Sequence, residues 1–455
     1  MKNMSLIRMA EACGGVYYGE ESKKDIEVSS ITTDSRKVEE GCLFVAIKGE
    51  RVDGHSFIPA VFEKGALCVL SEQKLEEPKG PYILVDSTLT AIKALAKYYR
   101  QQLDIKVVGI TGSVGKTSTK EMIASVLSEK YQVLKTLGNF NNELGLPLTI
   151  FRLREEHEIA VLEMGISNFG EMHRLSEIAC PDVCVITNIG QCHLEFLHDR
   201  DGILRAKSEI FDFIAENGKI VLNGDDDKLA ALREVKGIKP TFFGIETQRE
   251  LYADELENLG LKGIRCRIHV KDQSFLVDIP IPGYHMVQNA LAATGVGLAL
   301  GLSLPQIHDG IEKLEAISGR FHLIETAHYT IIDDCYNANP VSMKASLTAL
   351  QDGLCRKVAI LGDMGELGEN EAQMHREVGN YAANLKVDLF LCVGALCHHL
   401  AEGIREKNPE KEVREFETRE ALLEELPAIL QEKDTILVKA SHFMQFEKVV
   451  AYLQR

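Results

Sequence analysis

Residues 106–118 read Lys106-Val-Val-Gly-Ile-Thr-Gly-Ser-Val-Gly-Lys-Thr-Ser118. This segment predicts the type of fold around it. Lys106 to Ile110 has the apolar composition of a short buried strand, and Thr117 to Leu127 has helical periodicity. Small residues form a turn between the two. A strand, a glycine-rich turn and a helix N-terminus direct backbone N–H groups and the positive end of the helix dipole at one point.

This turn has the chemistry of a phosphate-binding loop. Lys116 supplies a mobile cation for the outer phosphates of a nucleoside triphosphate, and the Thr117 hydroxyl suits a phosphate-bound Mg²⁺. The common spacing of such loops has a glycine five positions before Gly115, where this chain has Ile110, so generic GTPases and transport ATPases fit less well. We therefore predict nucleotide binding by Thr111, Gly112, Ser113, Val114, Gly115, Lys116, Thr117 and Ser118. The alternative is a glycine turn that contains a lysine by chance.

Length and composition predict a soluble protein of several domains. The 455 residues exceed what one hydrophobic core holds, and a domain size of about 150 residues predicts roughly three domains. A formal net charge of −17 argues against nucleic acid as a partner. No apolar run approaches the roughly 20 residues of a membrane span, and the N-terminal Met1-Lys-Asn-Met-Ser-Leu6 lacks the apolar core of a signal peptide. We expect no membrane insertion.

The cysteines indicate a reducing compartment. There are 11, an odd number with no Cys-x-x-Cys pair, as expected of free thiols in a cytoplasm. Cys180, Cys184, Cys192 and His193 could be taken for a zinc set, but their spacing matches no common zinc pattern. We expect a cytoplasmic protein, and nothing in the sequence demands more than a monomer.

The chain divides into three regions, at about residues 1–104, 105–316 and 317–455. The first contains short strands, including 31–36 and 42–47, and ends in a helical stretch at 89–101. The second alternates apolar strands with helical patterns, as a parallel, doubly wound sheet does; its strand candidates are 107–110, 159–164, 183–189 and 220–223. The third begins a new alternation and predicts a separate α/β domain with strands at 330–334, 357–361, 389–393 and 435–439.

Polar residues follow the central strands where a parallel sheet collects its ligands. Glu163 closes one strand, Asn188 closes the next, and His193 follows five residues later. Both strand ends should neighbour the phosphate loop. Glu163 and His193 are candidate Mg²⁺ ligands, although Mg²⁺ prefers oxygen to imidazole. The alternatives are a carboxylate that caps the next turn and a structural histidine.

Lys207 is a further candidate because of its place on a predicted helix at 202–215. Ile203, Ile210, Phe211 and Ile214 form one apolar stripe of that helix, and Lys207 falls within the stripe. Burial favours the neutral amine, and a neutral amine can add CO₂ to become a carbamate, an anion able to bind Mg²⁺. The alternative is a side chain that extends to the surface.

Polar loops also follow strands of the third region. Asp333-Asp-Cys-Tyr-Asn-Ala-Asn-Pro340 and Gly362-Asp-Met-Gly-Glu-Leu-Gly368 are more typical of a ligand surface than of ordinary turns. Gly283-Tyr-His-Met-Val-Gln-Asn289 leads into an alanine-rich helix and could place Asn289 near a base or ribose.

Together these segments resemble the Mur ligases, the ATP-dependent amide-forming enzymes of peptidoglycan precursor synthesis. The resemblance spans all three regions and rests on the phosphate loop, Glu163-Met-Gly, Asn188 to His193-Leu-Glu, Ala206-Lys207 and Gly283-x-His285 through Asn289. Within the family, the chain is most similar to the member that adds the last dipeptide. That similarity lies in Thr33-Asp-Ser-Arg36, Leu43-Phe-Val-Ala-Ile-Lys-Gly49, Asp53-Gly-His55, Tyr336-Asn-Ala-Asn-Pro340 and Gly362 to Gly368.

The resemblance implies a fold and an activity. The fold is a small N-terminal α/β domain that binds UDP, a central parallel-sheet ATPase-like domain, and a C-terminal Rossmann-like α/β domain that closes over ATP and binds the incoming dipeptide. The activity is the ATP-dependent addition of D-alanyl-D-alanine to UDP-N-acetylmuramoyl-tripeptide through an acyl phosphate. Its cofactors would be ATP and two Mg²⁺ ions.

The resemblance also implies residue roles. Gly112 to Ser118 would hold the ATP phosphates, with Thr117 on one Mg²⁺, while Glu163, His193 and a carbamylated Lys207 would serve the second metal. Asn289 would contact adenine or ribose and Arg320 would reach ATP. Ser35 and Arg36 would lie near the uridine diphosphate, and Asp334, Asn337 and Asn339 would lie at the junction with the C-terminal domain.

The sequence departs from the family pattern at one place, and two other functions are alternatives to the one that the resemblance implies. Where the family has Gly-Ser-Arg near the C-terminus, this chain reads Ala440-Ser441-His442, so the role of that arginine does not carry over. One rival is another ligase of the superfamily, either an earlier Mur enzyme or folylpolyglutamate synthetase. The other is a protein that binds and hydrolyses ATP without making an amide.

Overall fold

The computed structural model describes residues 1–49, 52–190, 192, 194–247 and 249–455. The chain forms two compact units, which are described separately. The first comprises residues 1–191, 196–243 and 292–307, and the second comprises residues 192–195, 244–291 and 308–455. In the described part of the chain, no helix has both the length and the apolar character needed to cross a bilayer.

The first unit begins with a five-stranded sheet of order β1-β5-β4-β3-β2, in which only the β1–β5 pair is antiparallel. Its strands are short because polar turns interrupt each apolar run; the predicted strands at 31–36 and 42–47 are only two and three residues long. The elements are α1 (Leu6–Cys13), β1 (Val16–Tyr18), β2 (Ile31–Thr32), β3 (Leu43–Val45), α2 (Ile58–Glu63), β4 (Cys68–Ser71), β5 (Tyr82–Leu84) and α3 (Thr88–Gln101).

This unit also contains six parallel strands of the larger central sheet, in the order β7-β8-β6-β9-β10-β11. Strands β8, β6, β9 and β10 are almost wholly buried apolar runs, as expected of a parallel sheet, and the four predicted central strands are confirmed. The elements are β6 (Lys106–Thr111), α4 (Lys116–Ser128), β7 (Val133–Lys135), α5 (Gly145–Ile150), β8 (Ile159–Glu163), α6 (Glu171–Ala179), β9 (Val183–Ile186), α7 (Leu194–Leu197), α8 (Arg200–Ser208), β10 (Lys219–Asn223), α9 (Asp227–Ala230) and β11 (Thr241–Gly244).

The predicted helix at 202–215 is wrong in its extent. Helix α8 starts earlier, at Arg200, and gives way after Ser208 to a short 3-10 turn at Glu209–Phe211. The Ser176 hydroxyl donates to the Ile210 carbonyl (2.8 Å), and the Ala215 N–H donates to the Pro181 carbonyl (2.9 Å). These tertiary bonds take up backbone groups that a continuing helix would pair internally.

The second unit contains an antiparallel three-stranded meander that the sequence analysis did not predict. Strands β12 (Leu251–Asn258), β13 (Ile264–Val270) and β14 (Gln273–Ile279) pair in chain order. Along β13 buried residues alternate with partly exposed ones, which is the pattern of a sheet with one solvated face rather than of an apolar run. Helices α10 (Tyr284–Ala299) and α11 (Leu304–Glu312) follow.

A six-stranded sheet of order β15-β16-β20-β17-β18-β19 completes the second unit, and only its β15–β16 pair is antiparallel. The four strands predicted in this region are confirmed, and the mixed α/β class is confirmed with a separate sheet for each of the three regions. The elements are β15 (His322–Glu325), β16 (Thr330–Asp333), α12 (Pro340–Leu350), β17 (Lys357–Gly362), α13 (Glu371–Ala382), β18 (Leu389–Val393), α14 (Cys397–Lys407), β19 (Glu412–Phe416), α15 (Arg419–Ile429), β20 (Thr435–Lys439) and α16 (Glu447–Leu453).

Candidate functional site

The phosphate loop leaves the sheet from β6, which lies between β8 and β9. Two glycines make its path possible. Gly112 has φ +150°, and a Cβ there would lie 1.9 Å from the Thr187 Oγ1. Gly115 has φ +81° and immediately precedes α4, so both positions exclude an ordinary side chain. The loop is therefore compact and pressed against the end of the neighbouring strand.

The segment after β9 holds the tip of the loop. Asn188 accepts from the Ser113 N–H through its backbone oxygen (3.1 Å) and from the Val114 N–H through its Oδ1 (2.9 Å). The Asn188 Nδ2 and the Thr187 hydroxyl both donate to the Val114 carbonyl, at 3.0 and 2.8 Å. The prediction that Asn188 neighbours the loop is confirmed. The amides of Ser113 and Val114 serve the loop's own shape in this conformation.

Helix α4 presents the groups suited to phosphate. The N–H groups of its first turn, from Lys116 to Ser118, have no partner within a helix because of the geometry of helix N-termini. The Lys116 Nζ lies inside the loop and donates to the Gly112 carbonyl at 2.9 Å. Thr117 is mostly buried in the same turn. A cation, the amide donors of a first helical turn and a hydroxyl are thus gathered at one helix N-terminus, where an anion is stabilised.

Glu163 ends β8 beside the start of this loop, in register with Ile110 of β6. Its side chain is buried, and its Oε1 accepts from the Asn141 Nδ2 at 2.8 Å. Among the described residues, its Oε2 and the Thr111 Oγ1 are buried without a hydrogen-bond partner. The capping alternative finds no support, because the next helix, α6, has the Glu209 carboxylate at its N-terminus, 3.0 Å from the Gly170 N–H.

These features fit a hard divalent cation bound with phosphate. A buried carboxylate oxygen without a partner is costly unless something binds it, and Mg²⁺ typically combines one or two protein oxygens with those of the nucleotide. Within residues 1–49, 52–190, 192, 194–247 and 249–455, no three His, Cys, Asp or Glu side chains form a group that could hold a metal. The prediction for His193 lies outside the described residues.

Lys207 lies on α8 and is 1% exposed. The alternative of a side chain that extends to the surface is therefore wrong. Arg205, on the same helix, is exposed and lies over the Phe169 ring with its guanidinium carbon 4.2 Å from the ring centroid. Within one turn of α8, Lys207 is therefore buried and Arg205 is exposed.

The predicted UDP-site residues lie after β2. The Arg36 guanidinium donates from Nε to the Asp34 Oδ1 (2.9 Å) and from Nη2 to the Oδ2 (2.8 Å), and it holds the pKa of that carboxyl at about 2. The Ser35 carbonyl accepts from the Lys64 Nζ at 2.8 Å. This segment is consequently ordered with an exposed guanidinium available to an anionic ligand.

In the second unit, a buried lysine organises the loop after β16. The Lys439 Nζ, at the end of β20, donates to the Asp334 Oδ2 (2.6 Å) and to the Asn337 carbonyl (3.1 Å). Asn339 is the N-cap of α12 and accepts from the Ser342 N–H at 2.9 Å. Lys439 thus brings Asp334 and Asn337 together, and this lysine was not predicted from the sequence. Asn339 has a structural role as the cap of α12.

Two further predicted residues, Arg320 and Asn289, lie in this unit. The Arg320 guanidinium stacks on the Tyr336 ring at 4.3 Å, and the His442 ring is tilted against that ring at 5.5 Å between centroids. Asn289 is buried on α10, and its Nδ2 donates to the Met286 Sδ at 3.3 Å. The Tyr336 ring therefore contacts both Arg320 and His442, the histidine at the position of the family's arginine.

The second predicted polar loop of this unit, residues 362–368, is fixed by internal contacts. Asp363 is buried, accepts from the Cys397 N–H at 2.7 Å, and has its pKa raised by that burial. His375 accepts from the Met364 N–H at 2.9 Å, and burial lowers its pKa. These groups stabilise the loop itself, whereas a ligand surface needs groups that are open to solvent.

The residues that hold Glu163 were not predicted from the sequence. Asn141 contacts its carboxylate, and the Thr136 Oγ1 accepts from its backbone N–H at 3.0 Å. Asn141 belongs to the segment Gly138-Asn-Phe-Asn-Asn142, whose density of turn-forming residues before a helix was the available signal. Thr136 had no such signal, because its partner lies 27 residues away in the chain.

This fold and this loop define a P-loop protein that binds a nucleoside triphosphate with a divalent cation. Comparison with known families then gives a finer class. Residues 27–100 match the model described as Mur ligase family, catalytic domain; residues 110–297 match the Mur ligase middle domain; and residues 319–442 match the Mur ligase, glutamate ligase domain. The chain belongs to the Mur ligase family.

Individual relatives agree over nearly the whole chain. A UDP-N-acetylmuramoyl-tripeptide–D-alanyl-D-alanine ligase of Bacillus subtilis (strain 168) is 40% identical over 428 residues, which cover 93% of this chain and 92% of the relative. A MurF crystal structure from Acinetobacter baumannii has a TM-score of 0.90 at 35% identity, covering 99% of this chain and 98% of the other. The MurF ligase of Thermotoga maritima in complex with ADP has a TM-score of 0.81 at 32% identity, covering 93% and 97%.

Proposed function

We propose that this chain is a cytoplasmic ligase that joins D-alanyl-D-alanine to UDP-N-acetylmuramoyl-tripeptide, with ATP converted to ADP and phosphate. The product is the UDP-linked pentapeptide precursor of peptidoglycan. The observation that carries the proposal is the phosphate loop beside Glu163, whose Oε2 is buried without a hydrogen-bond partner in the described structure. Full-length relatives that bear this activity in their names support the choice of substrates.

The first chemical step is the transfer of a phosphoryl group. A carboxylate oxygen of the tripeptide attacks the γ-phosphorus of ATP, the bond to the β-phosphate oxygen breaks, and an acyl phosphate and ADP result. Repulsion between the carboxylate and the triphosphate opposes the attack, so positive groups must surround the transferring oxygens. The Lys116 ammonium and the first-turn amides of α4 provide such groups.

The second step forms the amide. The amine of the dipeptide attacks the acyl carbon, the carbon–oxygen bond to phosphate breaks, and the amine loses a proton. The first-turn amides of α4 would hold the phosphate that leaves in this step as they hold it in the first. Preorganised donors of this kind lower the barrier without rearranging during the reaction.

Magnesium fits the oxygens described above. When bound, it would neutralise charge on the phosphates and orient the transferred group. We assign Thr117 to one ion and Glu163 to a second, with His193 as a further candidate ligand. The buried Glu163 carboxylate and the buried Thr117 hydroxyl support these assignments.

We further propose that Lys207 is carbamylated. The neutral amine attacks CO₂, a carbon–nitrogen bond forms, and a proton leaves, so the side chain becomes an anion able to bind the second metal. The burial of Lys207 on α8 supports this proposal, because burial disfavours a charged ammonium and favours the neutral amine that reacts with CO₂.

Lys207→Ala should reduce turnover by about two to three orders of magnitude, because a metal-binding anion is lost. Added acetate or formate should restore part of the activity by occupying the space of the carbamate. Steady-state ADP release with and without these acids measures the effect. Arg205→Ala, on the exposed side of the same helix, should keep activity. Near-normal turnover of Lys207→Ala would contradict the assignment, and a loss that no short acid rescues would contradict the carbamate.

The remaining site assignments rest on the family resemblance. We propose that residues 1–104 bind the UDP end of the substrate with Ser35 and Arg36, and that residues 105–316 bind ATP. Residues 317–455 would receive the dipeptide. Arg320 and Asn289 are assigned to ATP, and Asp334, Asn337 and Asn339 to the region near the dipeptide. The exposed Arg36 guanidinium and the Arg320–Tyr336 stack support these roles.

Release of ADP in the presence of different substrates tests the function directly. ADP should accumulate at a sustained rate only when ATP, the UDP-linked tripeptide and D-alanyl-D-alanine are all present, because the acyl phosphate needs both partners to turn over. The released ADP and the UDP-pentapeptide should appear in equal amounts. ADP release that is independent of both substrates would indicate a binding protein that hydrolyses ATP, and turnover with a different acid and amine would indicate another ligase of the superfamily.

A further inference from the structure

Lys120 is a buried cation for which the mechanism above has no use. It lies on α4, one helical turn after Lys116, and is only 1% exposed. Burying an ammonium is costly unless it is paired and hydrogen-bonded. A lysine retained at such a position indicates a role that an apolar side chain could not fill.

The ammonium of Lys120 contacts one residue of its own helix and one beyond it. Its Nζ donates to the Thr136 carbonyl at 2.6 Å and lies 3.0 Å from the Glu121 Oε1. Glu121 also pairs with Lys135, the last residue of β7, whose side chain is 41% exposed. The ammonium therefore connects the phosphate-binding helix to the residue that follows β7.

Thr136 carries this connection to the predicted metal ligand. It is fully buried, its N–H donates to the Val161 carbonyl at 3.1 Å, and its Oγ1 accepts from the Glu163 N–H at 3.0 Å. One residue thus receives Lys120 on its carbonyl and Glu163 on its hydroxyl. The path from helix α4 to the end of β8 consists of two hydrogen bonds and a single intervening residue.

We propose that Lys120 is a positioning residue for the magnesium ion assigned to Glu163, acting through Thr136 to hold Glu163 on β8 at a fixed distance from the phosphate-binding start of α4. The inference rests on the proposed function, which makes Thr117 and Glu163 ligands of Mg²⁺. Mg²⁺ demands near-ideal octahedral geometry at about 2.0–2.1 Å, so a small shift of Glu163 relative to the phosphates held at the start of α4 weakens binding of the ion that Glu163 shares with them. Groups that orient a metal ligand typically contribute about 10–100-fold to metal affinity.

Lys120→Met tests the role with a side chain of similar length that cannot donate. The full-length protein is saturated with a non-hydrolysable ATP analogue, and Mn²⁺ is titrated by electron paramagnetic resonance. The dissociation constant for Mn²⁺ should rise by at least about tenfold. Binding of the analogue without metal should be unchanged, and catalysis should need more Mg²⁺ for half-maximal rate while kcat at saturating Mg²⁺ is largely retained.

Two further variants separate positioning from packing. Thr136→Val removes the hydroxyl that accepts from the Glu163 N–H and should raise the Mn²⁺ dissociation constant in the same way, even if Lys120→Met fails to fold. Lys135→Met removes the solvated partner of Glu121 and should leave Mn²⁺ binding unchanged. Unchanged Mn²⁺ binding in Thr136→Val, or a lower melting temperature in Lys120→Met without a change in Mn²⁺ affinity, would overturn the proposal.

The same experiment distinguishes this inference from the proposed function. If the wild-type complex with the analogue binds Mn²⁺ tightly and the variants do so equally well, the positioning role fails and the ligase assignment stands. If the wild-type complex binds no Mn²⁺, the assignment of Thr117 and Glu163 fails together with the role of Lys120. Substrate-dependent ADP release is measured on the wild-type protein, so it tests the ligase activity independently of the variants.

Discussion

Lys116→Ala is expected to lower kcat by about three orders of magnitude, the largest effect of any single substitution in the phosphate loop. Losing one preorganised charge contact in a transition state costs about 3–4 kcal/mol. In the structure the ammonium is held inside the loop by the Gly112 carbonyl, already near the position that the outer phosphates would occupy. Negative charge spreads over the transferring oxygens in the transition state. Without Lys116, the loop has no ammonium to stabilise that charge.

Single-turnover formation of ADP, measured with saturating substrates, isolates the affected step. The matched control is Lys106→Ala at the opposite end of β6, where the side chain is 63% exposed and pairs with Asp182. That variant should react like the wild type. Near-normal ADP formation by Lys116→Ala would remove the lysine from the mechanism.

Glu163→Gln is expected to have the second-largest effect, a loss of about two to three orders of magnitude in kcat/KM at moderate Mg²⁺. The substitution keeps the size of the side chain and removes only its charge. An amide is a poorer ligand for Mg²⁺ than a carboxylate, and with its oxygen accepting from the Asn141 Nδ2 it would present an NH₂ donor where the Oε2 now lies. The buried Oε2, which has no hydrogen-bond partner in the described structure, would become a neutral atom without the charge that attracts a metal.

Measurement of rate against Mg²⁺ concentration should show that high Mg²⁺ only partly compensates. Glu158→Gln is the control, because Glu158 precedes the same strand, is exposed, and accepts from the Gln132 N–H at 2.9 Å. It should leave the Mg²⁺ dependence unchanged. Wild-type Mg²⁺ dependence in Glu163→Gln would show that this carboxylate does not contact the metal.

Much of the central sheet was predictable because its signals are local. Buried parallel strands are continuous apolar runs, and the runs at Val183–Ile186 and Lys219–Asn223 were visible without knowledge of their neighbours. The loop after β6 was predictable for the same reason, since its glycines, lysine and threonine are adjacent in the chain. Strands with one solvated face, such as those of the meander at residues 251–279, lack this signal and were missed.

Charged residues inside apolar patterns were harder to interpret. The helical pattern placed Lys207 in an apolar stripe but could not decide between burial and extension to the surface. That choice depends on whether neighbouring elements cover the side chain, and the structure buries it. Lys120 was not singled out at all, because the Thr136 carbonyl that accepts from it follows β7 and meets it only when β7 pairs beside β8.

The sequence alone therefore determined the chemistry of the nucleotide end: a strand, a glycine turn, a lysine and a threonine in one contiguous run. It also determined the mixed α/β class, because periodicity is written along the chain. Only the tertiary structure decided how Glu163 is held, which lysines are buried, and that Tyr336 carries both Arg320 and His442. Hydrogen bonds and ring contacts between distant residues depend on distances of a few ångströms, and those distances exist only after the sheets have formed.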